Sequence, residues 1–278
     1  MSRSIDHLVL CVNDLDVACD AWRQLGFTVT PRANHPFGTG NALVQFDGMY
    51  IELLGVVEPD KIAEAELAAP FSFPIYNRDY LRQREGMSML AVQSKDAEKD
   101  REDFLAAGAA VPRVFKFERE ATRPDGSLTD LGFSLAFANH PLLRHAVTFV
   151  CQHHHPPQNF YYPEYQIHAN GARAIGKVFL MHWAADAVRE FFEGIGTDTI
   201  VETWHGDEMV SRYGIDDDLF PTDGFAGFEI VVDKLDGIAP AAISMGAVQK
   251  KGRLILPPSA FFGTMVVISA KLCRPKIR

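Results

Sequence analysis

Apolar positions along the chain fall into short strand-like blocks, each followed by a stretch with helical spacing. From Ile5 to Val12 the residues favour a strand. Asp14 and Asp16 then open a helix in which Leu15, Ala18, Trp22 and Leu25 share one face and Gly26 ends it. The same plan recurs at Met87 to Val92, where Ser94 caps a charged helix carrying Ala97, Phe104 and Leu105, closed by Gly108. A third copy runs from Ile175 to Met181 with Ala184, Val188, Phe191 and Ile195 on the following helix, closed by Gly196. A fourth runs from Phe225 to Val232 with Leu235, Ile238, Ala242 and Met245, closed by Gly246, and Pro240 is expected to interrupt its helix. Strand start and closing glycine lie 21 positions apart in each copy: 5 to 26, 87 to 108, 175 to 196 and 225 to 246.

Three further strand-like runs follow the first helix, Thr28 to Arg32, Asn41 to Phe46 and Tyr50 to Leu54, with Asp47-Gly48 as a turn. The first unit therefore reads βαβββ. The second supplies Pro112 to Phe117, Gly132 to Ala138 and Ala146 to His153 after its helix, and the last supplies Leu254 to Leu256 and Met265 to Ile268.

Side-chain parity selects the candidate chemistry. On the first strand His7, Val9 and Cys11 face one way and Leu8, Leu10 and Val12 the other, so the aliphatic row packs on the helix and His7 faces the open side. Glu52 likewise shares a face with Tyr50 and Leu54, opposite Ile51 and Leu53. A carboxylate in such surroundings needs a partner or a metal. In Gln152-His153-His154-His155, His153 shares a face with Phe149 and Cys151 and His154 with Val150 and Gln152; a solvated turn before Pro156-Pro157 is the alternative. Positions 89, 177 and 227, equivalent to His7, hold Met, Lys and Gly, so a symmetrical four-unit enzyme is excluded.

Ile5-Asp6-His7-Leu8-Val9-Leu10 with Asn13-Asp14-Leu15, the turn Gly38-Thr39-Gly40-Asn41, and Tyr50-Ile51-Glu52-Leu53-Leu54 give the chain a resemblance to glyoxalase-like members of the vicinal oxygen chelate superfamily. That resemblance implies an α+β fold of tandem βαβββ units curled into half-barrels, in two pairs. Residues 1–155 would form a ligand-bearing pair, 156–173 an aromatic crossover, and 174–278 a degenerate pair without ligands. It also implies a metal-binding His on the first strand of a unit and a metal-binding Glu on its last, which match His7 and Glu52. The run Cys151-Gln152-His153 favours His153 as third ligand. Such a two-His-one-carboxylate set, with open positions, suits a divalent ion such as Fe, Zn, Mn or Ni.

Around it, the crossover from Pro156 to Gly171 is expected to wrap the groove. Tyr161, Tyr162 and Tyr165 would be its walls, Glu164 and His168 its acid or base groups, and His35 and Asn41 would line its mouth. The function implied is a metal-dependent enzyme acting on a small vicinally oxygenated substrate by proton-transfer, lyase or isomerase chemistry. A metal-dependent dioxygenase and a non-catalytic small-molecule binding protein of the resistance type are the alternatives.

Composition narrows the partners. In 278 residues, Lys plus Arg number 27 against 36 Asp plus Glu, a net charge of -9 that argues against nucleic acid; the basic residues gather only at Lys250, Lys251, Arg253 and the tail from Lys271 to Arg278. The longest mostly apolar run, 260–270, is too short for a bilayer, and Leu8 to Val12 followed by Asn13-Asp14 does not read as a signal peptide. Cys11, Cys19, Cys151 and Cys273 form no CxxC pair. A reducing cytoplasm and a homodimer are the corresponding expectations.

Overall fold

The computed structural model describes residues 2–68, 72–109, 113–215 and 220–270. The basic tail from Lys271 with Cys273, and Pro112 at the start of an expected strand, lie outside the described residues.

Two curved sheets carry the molecule. The first unit contributes β1 (Ile5–Cys11), α1 (Leu15–Gln24), β2 (Ala33–Asn34), β3 (Thr39–Phe46) and β4 (Met49–Val56). After two intervening helices, α2 (Pro59–Ala68) and α3 (Phe73–Leu81), come β5 (Gly86–Ser94), α4 (Ala97–Ala106), β6 (Phe115–Thr122), β7 (Leu128–Ala138) and β8 (Val147–His153). These eight strands form one sheet in the order β2-β3-β4-β1-β5-β8-β7-β6. Its centre is the antiparallel pair β1 and β5, each flanked by the parallel last strand of its own unit.

Beyond a short helix α5 (Pro163–Gln166), β9 (Ala172–His182), α6 (Ala185–Gly194), β10 (Val201–Trp204) and α7 (Gly206–Tyr213) form the third repeat. The fourth is β11 (Asp223–Val232), α8 (Ala239–Ser244), β12 (Val248–Lys250), β13 (Arg253–Leu256) and β14 (Met265–Ala270). They build a six-stranded sheet, β10-β9-β11-β14-β13-β12, in which β9 and β11 are the antiparallel pair where the two repeats meet. The third repeat is shortened: β10, paired parallel with β9 as β4 is with β1, follows α6 directly without the strand hairpin that precedes the last strand in the first two units, and α7 comes after it as α2 and α3 come after β4. No helix among the described residues is long and apolar enough to cross a membrane.

Local chemistry explains the punctuation. Asp14 caps α1 by accepting from the N–H groups of Asp16 and Val17, both at 3.0 Å. The four repeat glycines, Gly26, Gly108, Gly196 and Gly246, all have φ between 74° and 97°, the left-handed geometry that ends a helix at least cost for a residue without a side chain. Three expectations need correction. The cap of α4 is Asp96, whose carboxylate accepts from the Lys99 N–H, while Ser94 accepts from the Asp96 N–H one turn earlier. Pro240 stands at the first turn of α8, where its missing N–H costs nothing, so it opens that helix instead of interrupting it. The strand expected at Thr28 to Arg32 reduces to the pair Ala33–Asn34.

Beyond Asp6, parity on these strands is as the alternation predicts. Leu8, Leu10, Ile51, Leu53, Leu90 and Val150 join a core that runs under the helices and reaches the second sheet; Val9, Cys11, Tyr50, Leu54, Phe149 and Cys151 line the concave side. Trp22 of α1 joins the two sheets. Its ring lies parallel to Phe228 at 6.5 Å and edge-on to Phe261 at 5.1 Å. Each concave face also receives a helix. From α3, Phe73, Asn77 and Tyr80 enter the first groove, where Cys11 Sγ and Ser88 Oγ both donate to Asn77 Oδ1, at 3.0 and 2.6 Å. From α7, Met209 and Tyr213 fill the second groove against Phe179, Met181, Ala226 and Val267.

Because Trp22 is fully buried between the layers, Trp22→Ala is expected to cost about 3–5 kcal/mol of unfolding free energy, and Trp22→Phe much less. Urea denaturation followed by circular dichroism measures both.

Candidate functional site

The end of the first groove that α3 leaves open is a small cavity walled by β1, β3, β4, β6, β7 and β8. Most of its wall is aromatic or aliphatic; its polar groups are His7, His35, Asn41, Glu52 and Arg119. A bulge in β1 shapes its base. The register with β5 slips between Ile5 and His7, two residues on β1 being spanned by one step from Val92 to Ala91. Strict alternation would turn Asp6 toward the helix-packed layer with Leu8. The bulge instead sets Asp6 beside His7, where the imidazole Nδ1–H donates to Asp6 Oδ1 at 2.6 Å. That bond holds the ring and leaves His7 Nε2 turned toward Glu52. Tyr50 stacks on the ring at 4.4 Å.

Glu52, from β4, meets His7 from the other side. Asn41 Nδ2 donates to Glu52 Oε1 at 2.6 Å, and the same amide reaches His35 Nε2 at 3.3 Å, while His35 Nδ1 pairs with Thr39 Oγ1 at 2.8 Å. This chain of bonds holds Oε1 and leaves Oε2 facing His7 Nε2 at 3.9 Å. Neither of those two atoms has a hydrogen-bond partner among the described residues, and both side chains are buried. On the opposite flank His153 Nε2 contacts Asp6 Oδ2 at 3.2 Å, so Asp6 lies between two imidazoles.

Electrostatics follow from burial and these partners. Burial alone would raise the Asp6 carboxyl, but hydrogen bonds and charge from His153 and His7 outweigh it and hold the group at about 2, ionised. Glu52 moves up because burial outweighs the attraction of His7 and the Asn41 bond. Burial, then Arg119 and His7, push His35 down to about 3, which keeps it neutral and able to accept from Asn41. Burial lifts the Cys151 thiol well above its usual range, with Asp6 and Glu52 adding to the effect, so it remains protonated.

The groups present fit a divalent ion. Asp6, His7 and Cys151 have ligand-type atoms all within 4.8 Å of one another. The Nε2 of His7 and Oε2 of Glu52 are a nitrogen and an oxygen donor facing one another at 3.9 Å on the cavity wall, and a shared cation would engage both. Asp6 behind His7 is the carboxylate that orients a ligating imidazole. His153 touches this set through Asp6 and not through Glu52.

Residues 5–196 match the model of the glyoxalase-like domain. The chain belongs to that family. Its sheets have the tandem-unit architecture of the vicinal oxygen chelate fold. A hypothetical protein from Staphylococcus aureus aligns over 96% of this chain and 99% of its own with 12% identity and a TM-score of 0.69, a likeness of fold. A Streptomyces coelicolor methylmalonyl-CoA epimerase variant, in complex with 2-nitronate-propionyl-CoA, aligns over 56% of this chain and 99% of its own, with 21% identity and a TM-score of 0.38. The Mycobacterium tuberculosis methylmalonyl-CoA epimerase aligns over 53% and 86%, with 18% identity and a TM-score of 0.37. Among curated proteins nothing matches.

Within this glyoxalase-like chain the expected site residues divide. His7, His35, Asn41 and Glu52 share the cavity. His153 and Tyr161 stand in an outer cleft on the far side of Asp6. His154 turns away to Ser134 Oγ, 2.8 Å from its Nε2. Two expected acid–base groups lie outside the cavity. Glu164 is exposed on α5. His168 is wedged between Phe27 and Phe46, its Nδ1 accepting from the Thr28 N–H at 3.0 Å and its Nε2–H donating to Gln45 O at 2.9 Å, so it has no free nitrogen. Nor do Tyr162 and Tyr165 line the cavity; they pack edge-on against each other, and the Tyr162 hydroxyl donates to Asn159 O. The crossover instead sends Phe160 into the cavity, anchored by Gln45 Nε2 on its carbonyl at 2.9 Å.

Asp6 and Arg119 were not among the residues expected. For Arg119 the signal was present: Phe115, Phe117 and Arg119 alternate with Lys116, Glu118 and Glu120, which puts the arginine on the apolar side.

The structural role of His168 has a pH signature. Burial lowers its pKa, partly offset by the bond to Gln45, so below the ordinary imidazole value near about 6.5 the unfolded chain takes up the proton first. Its contribution to stability is complete above that value and is lost as the pH falls through it. His168→Asn is expected to show a smaller drop in urea midpoint between pH 7.5 and pH 5 than the wild type, the rest coming from groups such as His35.

Proposed function

We propose that the chain is a metal-dependent enzyme that moves a proton next to a carbonyl of a small oxygenated substrate held in the first-groove cavity. The observation that carries this reading is the buried, unbonded pair of His7 Nε2 and Glu52 Oε2, 3.9 Å apart at the base of an apolar cavity. His7 and Glu52 would hold the ion, with Asp6 fixing the imidazole. When bound, the ion supplies Lewis acidity that lowers the cost of charge on the substrate oxygen.

The remaining work falls to the protein. Asn41 and neutral His35 hold Glu52 Oε1, which aims the free oxygen Oε2 into the cavity. Burial raises the Glu52 carboxyl above its ordinary value, so its Oε2, when not held by the ion, would be the stronger base for the substrate proton. Phe149, Phe133 and Phe160 exclude water and so strengthen each electrostatic contact within. Asp6 links this interior to His153, whose side chain is 22% exposed in the outer cleft.

Calorimetric titration of EDTA-treated full-length protein with Zn²⁺ and Mn²⁺ tests the reading. The wild type is expected to bind about one ion per chain, His7→Ala and Glu52→Gln to lose saturable binding, and Asp6→Asn to bind about 10- to 100-fold more weakly. Absence of saturable binding by the wild type, or undiminished binding by His7→Ala, would leave a non-catalytic ligand pocket in its place.

A further inference from the structure

The proposed proton transfer gives no task to the one arginine that lines the cavity. Arg119 projects from β6 on the same face as Phe115 and Phe117, toward the wall that holds Glu52. Its Nε is sealed from solvent and has no hydrogen-bond partner. Burial works against its charge, and Glu52 offsets this through space, but the hydrogen bond to Glu52 is made by Asn41. The residue is half-buried and its guanidinium keeps its proton, so the sealed Nε–H lacks an acceptor that a ligand on the cavity side could supply together with the terminal nitrogens.

We infer that the missing partner is the carboxylate of the substrate. Two parallel N–H groups of a guanidinium match the two oxygens of a carboxylate in one plane. Arg119 is the single Lys or Arg side chain among the residues lining the cavity, which matches one planar singly charged anion. The rest of the wall, with Phe73, Phe117, Phe133, Phe149 and Phe160, is apolar and matches a ligand with an aromatic or branched aliphatic body. The class named is therefore a small aromatic or branched monocarboxylic acid. Arg119 grips its carboxylate, and the reacting carbon is turned toward Glu52. This rests on the reading of the cavity as the substrate site.

The test compares phenylacetate with 2-phenylacetamide, a neutral analogue of the same shape, by calorimetry on the full-length protein, with zinc binding measured on the same samples. Phenylacetate is expected to bind the wild type at least about tenfold more tightly than the amide, as for a charge-assisted hydrogen-bonded pair. Arg119→Gln is expected to remove that preference, and Arg119→Lys to keep only part of it; both should still bind zinc. Equal affinity of the wild type for acid and amide, no saturable binding of phenylacetate, or an unchanged preference in Arg119→Gln would each overturn the inference. A wild type that prefers the acid but binds no ion would refute the metal reading and leave the carboxylate clamp standing; one that binds zinc without the preference would refute the clamp alone.

Discussion

The hydrogen bond between Asp6 and His7, 2.6 Å long and buried, organises the rest of the site. It exists because one extra residue in β1 turns two consecutive side chains to the same side of the sheet. An ionised carboxylate at that depth would be unaffordable alone. Flanked by His7 and His153 it is held ionised, and in return it fixes which nitrogen of His7 faces Glu52. The parallel pairing of β1 with β4 then brings Glu52 within reach, since Val9 pairs with Glu52 and His7 with Tyr50, one step along the same face. The chain of Thr39, His35, Asn41 and Glu52 completes the arrangement from β3 and the loop before it.

Much of this was legible from the residues. Period-two alternation places His7, Glu52 and His153 on the concave side, and the spacing of closing glycines marks all four repeats. What alternation cannot register is its own interruption. A bulge breaks the rule locally, so Asp6 reads as a core-facing residue; the clue was an acid in a row otherwise filled by Leu8, Leu10 and Val12, a position where an unpaired charge would be intolerable. The same limitation applies to the crossover. Its composition of tyrosines, Glu164 and His168 suggested a catalytic strap, yet the backbone groups of Thr28 and Gln45 claim both nitrogens of His168, and only Phe160 reaches the cavity. Hydrogen bonds to backbone depend on the folded path, and residue type alone does not reveal them.

The two halves share a plan and differ in what fills the groove. In the first, α3 occupies one end with Phe73, Asn77 and Tyr80, and the polar network of Cys11, Ser88 and Asn77 seals it. The other end stays open and gathers all the cavity's polar groups. In the second, α7 lays Met209 and Tyr213 along the concave face. That sheet serves as backing, and Trp22 with Phe228 and Phe261 transmits its rigidity to α1 and so to β1.

Filling the second groove has a further result. The stretches of β9, β11 and β14 that carry Phe179, Met181, Ala226 and Val267 are covered on both sides, by the shared core beneath and by α7 above, which leaves no place there for an unpaired polar side chain. New chemistry could arise there only after the helix had been displaced, with loss of the packing that keeps the half folded. Innovation in this chain is thereby steered to the first groove, where loops and the edge strand β6 can vary around a base that stays constant.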